Sequence, residues 1–294
     1  MIRRRARGNP LAGPRIMVGM GALSRVLRSL GGEEVLERLA RLPGSDLTTV
    51  LLALTRRRAA TLTGPDVLRQ YRSDRFVAPA SVPFSVLRAA EDRLLAALPP
   101  SFSVLGLAPV APLGTCSAVA EMDQNNVLST VRGTEVAADP TNALALEAAV
   151  RRQADPSDVR LATVQRVVRA QLFEGAGRFA HFTLFAAVSA GRDRGSLAFE
   201  RQHFHEHLEF LREACGDVEV RVTVLDPRFE VVRGALPADP SRRTGYYKGL
   251  CYKVFLDGVE IGDGGFVDWT QTLLGNRKER LLITGIGVDR LATL

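Results

Sequence analysis

The sequence predicts an α+β fold: a mostly antiparallel β-sheet flanked by helices, behind an N-terminal helical segment. Three observations predict it. Apolar residues near the front recur at helical spacing, as at Leu23, Val26, Leu27 and Leu30. Farther on, apolar runs follow one another through short glycine- or proline-containing joins. Single helices separate groups of such runs instead of alternating with each of them, which argues against a doubly wound parallel sheet.

Residues 1–15 read as an unstructured basic arm with Arg3, Arg4, Arg5 and Arg7. Helical spacing runs from Leu23 to about Leu42 and breaks at Gly31-Gly32. Asp46 is placed to cap a second helix through Leu54, and Pro65-Asp66 opens a third to about Tyr71. Pro79 and Pro83 interrupt the pattern, so the chain is divided into an N-terminal helical segment, 1–75, and a core, 76–294. In the core, an amphipathic helix from Phe84 to Leu98 precedes Pro99-Pro100 and a strand from Phe102 to Leu107. A turn at Asp123 to Asn126 leads to a strand from Val127 to Val136. Asp139-Pro140-Thr141-Asn142 then starts a helix over 143–152, with Asp139 or Thr141 as its cap. Val159 to Gln171 and Ala180 to Val188 read as strands joined by a glycine-containing loop, Glu174 to Arg178. Phe199 to Ala214 reads as a helix, and Val218 to Leu225, Tyr246 to Leu256 and Leu281 to Gly285 as strands.

Composition narrows the function classes. The apolar and charged shares, 46% and 24%, are those of an ordinary globular chain. No apolar run reaches the roughly 18 residues of a membrane span, and the basic N-terminus has no apolar stretch of signal-peptide type behind it. Cys116, Cys215 and Cys251 are odd in number and far apart, which suits neither a disulfide framework nor a zinc pattern. A reduced, cytoplasmic setting is expected. The net charge of +7 invites a nucleic-acid reading, but only Lys248, Lys253 and Lys278 among the 39 basic residues are lysine. That skew reads as a coding bias toward arginine, and the arginines are scattered, not striped.

Residues fit for a nucleotide are spread along the core. Arg169-x-Gln171, Gly177-Arg178 and His181-Phe182 read as strand, arginine-bearing loop and returning strand. Gly285-Ile286-Gly287-Val288-Asp289-Arg290 puts a cation where a glycine-rich strand turns into a helix. Arginine suits phosphate because its planar fork pairs two oxygens, and it also stacks on rings. The blander readings stand beside these: Asp139 is a good cap without any ligand, and Phe182 fits a core position equally well. His203-x-His205-x-His207 has no cysteine or carboxylate set to complete a metal site, so it reads as a solvated helix face. Tyr246 and Tyr247 alternate on a strand, one toward the core, and Trp269 reads as a packing residue. Cys116 has no nearby histidine to make it a nucleophile.

The order of these motifs resembles class II aminoacyl-tRNA synthetases, whose core is also of biotin-ligase type. Phe84 to Pro109 resembles motif 1, Arg169 to Phe185 motif 2, and Leu281 to Leu291 motif 3. Arg242-x-x-x-Tyr246-Tyr247-x-Gly249 is similar to the Arg-Gly-Leu-Asp-Tyr-Tyr-Thr-Gly signature of the histidyl branch, and Gly264-Gly265-Phe266-Val267-Asp268 to its Gly-Gly-Arg-Tyr-Asp. The resemblance covers roughly residues 80–294.

The resemblance implies an ATP site with Mg²⁺ and a homodimer through the motif 1 region. It implies that Arg169 and Arg242 act on the α-phosphate, that Arg178 meets the β- and γ-phosphates, and that Phe182 stacks on adenine. Arg290 would cover the other face of the base or reach the γ-phosphate. Asp139, with Thr141, would hold a substrate ammonium group, with Glu135 as the fallback; Tyr246 and Tyr247 are further substrate-pocket candidates. Four departures count against a tRNA synthetase for histidine: Gln171 replaces the motif 2 acid, Leu184 and Val188 fall where an imidazole is held, Asp289 stands in place of the motif 3 glutamate, and motif 3 ends the chain with no anticodon-binding domain expected. Two functions follow. One is adenylation of an amino acid or related small carboxylic acid for a non-tRNA acceptor. The other is a non-catalytic paralogue of the kind that regulates ATP phosphoribosyltransferase, with a protein partner. Neither a membrane nor tRNA is an expected partner.

Overall fold

Gly31 and Gly32 end the first helix because both take φ near +105°, a conformation that L side chains rarely adopt. They separate α1 (Met20–Leu30) from α2 (Glu33–Ala40), and α3 (Gly44–Ala59) follows. The computed structural model describes residues 20–171, 180–240 and 245–294. Two compact units divide the chain, 1–61 and 62–294. Leu27 is the only buried side chain among the described residues of the first unit. α3 starts at Gly44 behind Pro43, so Asp46 lies in its first turn and makes no cap hydrogen bond, contrary to the sequence expectation. The carboxylate still favours the positive end of the helix dipole there.

The second unit opens with α4 (Gly64–Ser73), whose start is fixed by a capping box between Thr63 and Asp66. α5 (Phe84–Ala96) leads to β1 (Ser103–Val104), shorter than the predicted Phe102–Leu107 run. β2 (Val110–Pro112) and β3 (Thr134–Val136) form a separate antiparallel pair. The predicted strand from Val127 shrinks to β3 because a turn interrupts it. In that turn the Thr130 and Thr134 hydroxyls bond at 2.7 Å, and the Thr130 hydroxyl also accepts the Arg132 amide at 3.1 Å.

The main sheet has seven strands: β1, β4 (Val159–Val168), β5 (His181–Arg192), β9 (Glu279–Gly287), β8 (Val259–Val267), β7 (Lys248–Leu256) and β6 (Glu219–Val224), in that spatial order. Every neighbouring pair is antiparallel except β1 with β4. β8 carries three glycines and two acids among its nine residues, which breaks the apolar pattern and hides it from sequence patterning. Its glycines are required by crowding: a Cβ at Gly264 would strike the Tyr252 hydroxyl and the Ile283 carbonyl, and one at Gly262 the Gly285 carbonyl.

Side chains alternate across the sheet, so each strand supplies both faces. One face packs Phe185, Leu282, Ile286 and Val254 against α5 and α7 (Ala198–Cys215) through Leu94, Phe204 and Leu211. The other packs Leu161, Val188 and Ile283 against α6 (Pro140–Ala154) through Leu144, Ala145 and Ala148, and against Trp269 of α9 (Trp269–Leu274). α6 is also pinned to β9 by a buried ion pair, Arg152 with Glu279 at 3.0 and 3.1 Å.

The solvated-face reading of the histidine triplet is corrected here. His203 and His207 are buried, one helical turn apart on the sheet side of α7, while His205 stays exposed beside Glu209. His203 bonds Asp158 at 3.1 Å and Glu206 at 3.0 Å. His207 bonds Ser189 at 3.0 Å and Thr284 at 2.5 Å, and Thr284 in turn bonds the Tyr252 hydroxyl. No cluster of three or more metal-ligating side chains exists among the described residues, and no helix there is long and apolar enough to cross a membrane.

Candidate functional site

A trough opens on the α6 face of the sheet where β9 runs out of side chains. In the β5–β9 ladder Ala186 pairs with Gly285 and Leu184 with Gly287, before the row closes at Val188 and Ile283, both buried in the core. A Cβ built on Gly285 would meet nothing nearer than the Asp263 carbonyl at 3.9 Å, and one on Gly287 nothing nearer than the Ile261 carbonyl at 3.5 Å. The glycines are therefore a floor. Beyond it Asp263 of β8 stands opposite Gly285 in register.

Three stretches of chain wall the trough. Arg169 follows β4, Phe182 is the second residue of β5, and Arg290 lies in α10 (Val288–Leu291); all three line the same cleft. The Arg169 guanidinium sits 5.3 Å from the centre of the Phe182 ring. It donates from Nε to the Ala138 carbonyl at 2.9 Å and from Nη2 to the Asp139 carboxylate at 3.3 Å. Arg290 donates to the Glu260 carbonyl. Its neighbour Asp289 is buried and accepts the Thr183 amide at 2.5 Å, which fastens α10 to β5. Two cations, an aromatic ring and a flat floor in one concavity can hold a planar base and an anionic chain.

No protein-family model matches the chain, and no curated protein matches it by sequence. Solved structures do match it in shape. An ATP phosphoribosyltransferase regulatory subunit/histidyl-tRNA synthetase from Bacillus halodurans C aligns with a TM-score of 0.58 at 13% identity, covering 74% of this chain and 81% of that one. Pyrrolysyl-tRNA synthetase from Desulfitobacterium hafniense aligns with 0.53 at 16%, covering 78% and 73%. Histidyl-tRNA synthetase from Nostoc sp. PCC 7120 aligns with 0.53 at 17%, covering 74% of each. This chain has the class II aminoacyl-tRNA synthetase fold.

Within that fold the stretch resembling motif 1 is α5 and β1, the stretch resembling motif 2 ends on β5, and the stretch resembling motif 3 is β9 with α10. Arg169, Phe182 and Arg290, which the resemblance singled out, thus meet although 121 positions separate the first from the last. Asp139 lines the cleft too, and it is the cap of α6: one carboxylate oxygen accepts the Thr141 amide at 2.9 Å and the Thr141 hydroxyl at 2.7 Å. Thr141 itself is buried. Arg178 and Arg242 lie outside the described residues.

Other candidates stand apart from the trough. Glu135 is fully buried and does not line it. Its carboxylate accepts the amides of Gly114 at 2.9 Å and Cys116 at 2.8 Å, and the Gln124 side chain at 3.0 Å. Burial favours its neutral form, but these hydrogen bonds outweigh that and hold its pKa below the usual range. Gln171 offers its carbonyl to Arg75 at 3.4 Å and does not line the trough. Burial, with help from the Glu135 carboxylate, pushes the Cys116 thiol up to about 12, so it stays protonated.

Tyr246 and Tyr247 do not alternate on a strand, because β7 begins only at Lys248. Their rings pack together at 4.6 Å, and Tyr246 also meets Trp269 at 5.3 Å. Leu184 lines the cleft, whereas Val188 is buried behind its closed end. Sequence reasoning missed Asp263 and Glu260, which line the β8 side. The only sequence signal for them was their place beside the glycines of that strand.

Proposed function

We propose that this protein binds ATP in the trough and adenylates the carboxylate of an amino acid or related small acid for transfer to a non-tRNA acceptor. The observation that carries the reading is the meeting of Arg169, Phe182 and Arg290 over the glycine floor. Phe182 takes one face of adenine, and Arg290 covers the other face or reaches the γ-phosphate. Arg169 exchanges its contact with Asp139 for the α-phosphate. Arg242 aids at the same phosphate, and Arg178 serves the β- and γ-phosphates.

In the reaction a carboxylate oxygen of the substrate attacks the α-phosphorus and forms a P–O bond. The bond from that phosphorus to the bridging oxygen breaks, and pyrophosphate leaves with the electron pair. Arg169 stabilises the negative charge that grows on the α-phosphate oxygens, a preorganised cation of the kind whose removal costs about 10²–10³ in rate. Mg²⁺ carried on the triphosphate would supply further shielding of phosphate charge. We place a homodimer contact at α5 and β1.

A second reading is favoured by the apolar Leu184 in the trough and by the hold of Asp139 on Arg169. The Bacillus halodurans C neighbour carries a regulatory-subunit description. By that analogy the trough senses a ligand and the protein serves a catalytic partner.

Pyrophosphate exchange into ATP, driven by pooled amino acids and small acids, separates the two readings. Adenylation predicts exchange that falls about 10²–10³-fold in Arg169→Ala with circular dichroism unchanged. ATP binding without exchange from any pool would leave the regulatory reading standing.

A further inference from the structure

The two long walls of the trough differ in chemistry. Leu184 and Ala186 of β5 stand on one side of the glycine floor. Asp263 of β8 stands on the other, two strand spacings of about 4.8 Å each from Ala186 along one row of the ladder. A ligand lying on Gly285 therefore has hydrocarbon on one flank and a carboxylate on the other.

The other acids that line the trough each have a protein partner too, and none of them stands beside the glycine floor in the same row as Ala186. Asp139 accepts from Thr141 twice on one oxygen and from Arg169 on the other. Glu260 pairs with Lys253 at 3.0 Å, and Asp289 takes the Thr183 amide on one oxygen, while its other, buried oxygen lies 3.9 Å from Arg166 and makes no hydrogen bond. Asp263 has a protein contact of its own.

Resting on the adenylation reading above, we propose that the trough takes an α-amino acid with an apolar side chain, its ammonium on Asp263 and its side chain against Leu184 and Ala186. The ammonium role that the resemblance gave to Asp139 thereby passes across the floor to β8. Asp139 keeps two tasks, capping α6 and holding Arg169 ready. A polar side chain on the β5 flank would lose its water without gaining a partner from leucine or alanine, which disfavours it.

Calorimetric titration of the whole chain tests this. The probes are L-leucine, L-valine, L-methionine and L-phenylalanine, with L-lysine and L-glutamate as polar controls and 4-methylpentanoate as leucine without its amine. ATP is titrated separately. At least one apolar amino acid should bind about tenfold or more tighter than the controls, and leucine should outbind its deaminated analogue. Asp263→Asn should erase the preference for the amine by roughly 10- to 150-fold, the worth of a hydrogen bond to a charged group, with circular dichroism unchanged. Equal binding of the deaminated analogue, preference for lysine or glutamate, or no binding of any apolar amino acid overturns the assignment, and these wild-type results stand even if the variant fails to fold. An Asp263→Asn protein that keeps the amine preference overturns it too. Intact amine preference without ATP binding would instead remove the adenylation reading alone.

Discussion

Gly285 leaves open space above β9, and its backbone lies outside the left-handed region. A Cβ there clears the backbone, and a valine suits a strand and puts two methyl groups into the trough. Gly285→Val is expected to keep the thermal midpoint of the wild type and to lose ATP binding by titration. Retained binding would place the nucleotide elsewhere. The same residue shows the reach of sequence reading. A Gly-x-Gly pair before Asp289-Arg290 drew notice, but whether a glycine turns the chain or opens a floor depends on what lies opposite it. Asp139 and Glu135 teach the same lesson. Both are acids at a helix start or strand, yet one lines the cleft while the other has its oxygens taken by the amides of Gly114 and Cys116.

α6 carries Asp139 at its first turn and reaches β9 through Arg152 near its end. The Arg152 and Glu279 side chains are 1% and 4% exposed, so removing one leaves a buried charge behind. Arg152→Ala is expected to destabilise the fold by about 3–5 kcal/mol, toward the lower end because Arg192 also approaches Glu279 at 3.4 Å. Urea unfolding measures the loss, and a midpoint unchanged from wild type would refute the pin. Elements with strong local signals were legible in the sequence. The glycine break after α1, the cap and proline of α6, and the run of β4 into β5 fall where spacing placed them. β8 was not legible, because its glycines are chosen for contact with Tyr252 and the neighbouring strands and leave no alternating pattern.

Across the whole molecule, acid stability should depend on the buried histidines. Burial lowers the pKa of His207 from 6.5 to about 3, and His203 is lowered in the same direction by burial. The unfolded chain therefore binds more protons than the folded one below pH 6.5. Stability is fully present above that value and declines as pH falls toward 3, by up to about 1.4 kcal/mol per pH unit for His207. Glu206, held at about 2, and Glu135, also lowered, add losses of the same sign only below their ordinary value of 4.5. Between pH 6.5 and 4.5 the decline belongs to the histidines among these groups. Urea unfolding across that window should show it, with a shallower slope in His207→Gln; an equal slope would refute the assignment.

The sequence by itself determined the start of α6, the strand-rich core, the order of the motif-like stretches and the identity of the three residues that meet in the trough. Those features are written in local spacing and backbone chemistry, which neighbouring residues fix. Only the tertiary structure decided that β9 glycines form a floor, that Glu135 closes a loop, that His203 and His207 are buried, and that Asp263 faces Leu184 and Ala186. Each of these depends on which strand lies beside which, and strand order is set by contacts between residues far apart in the chain.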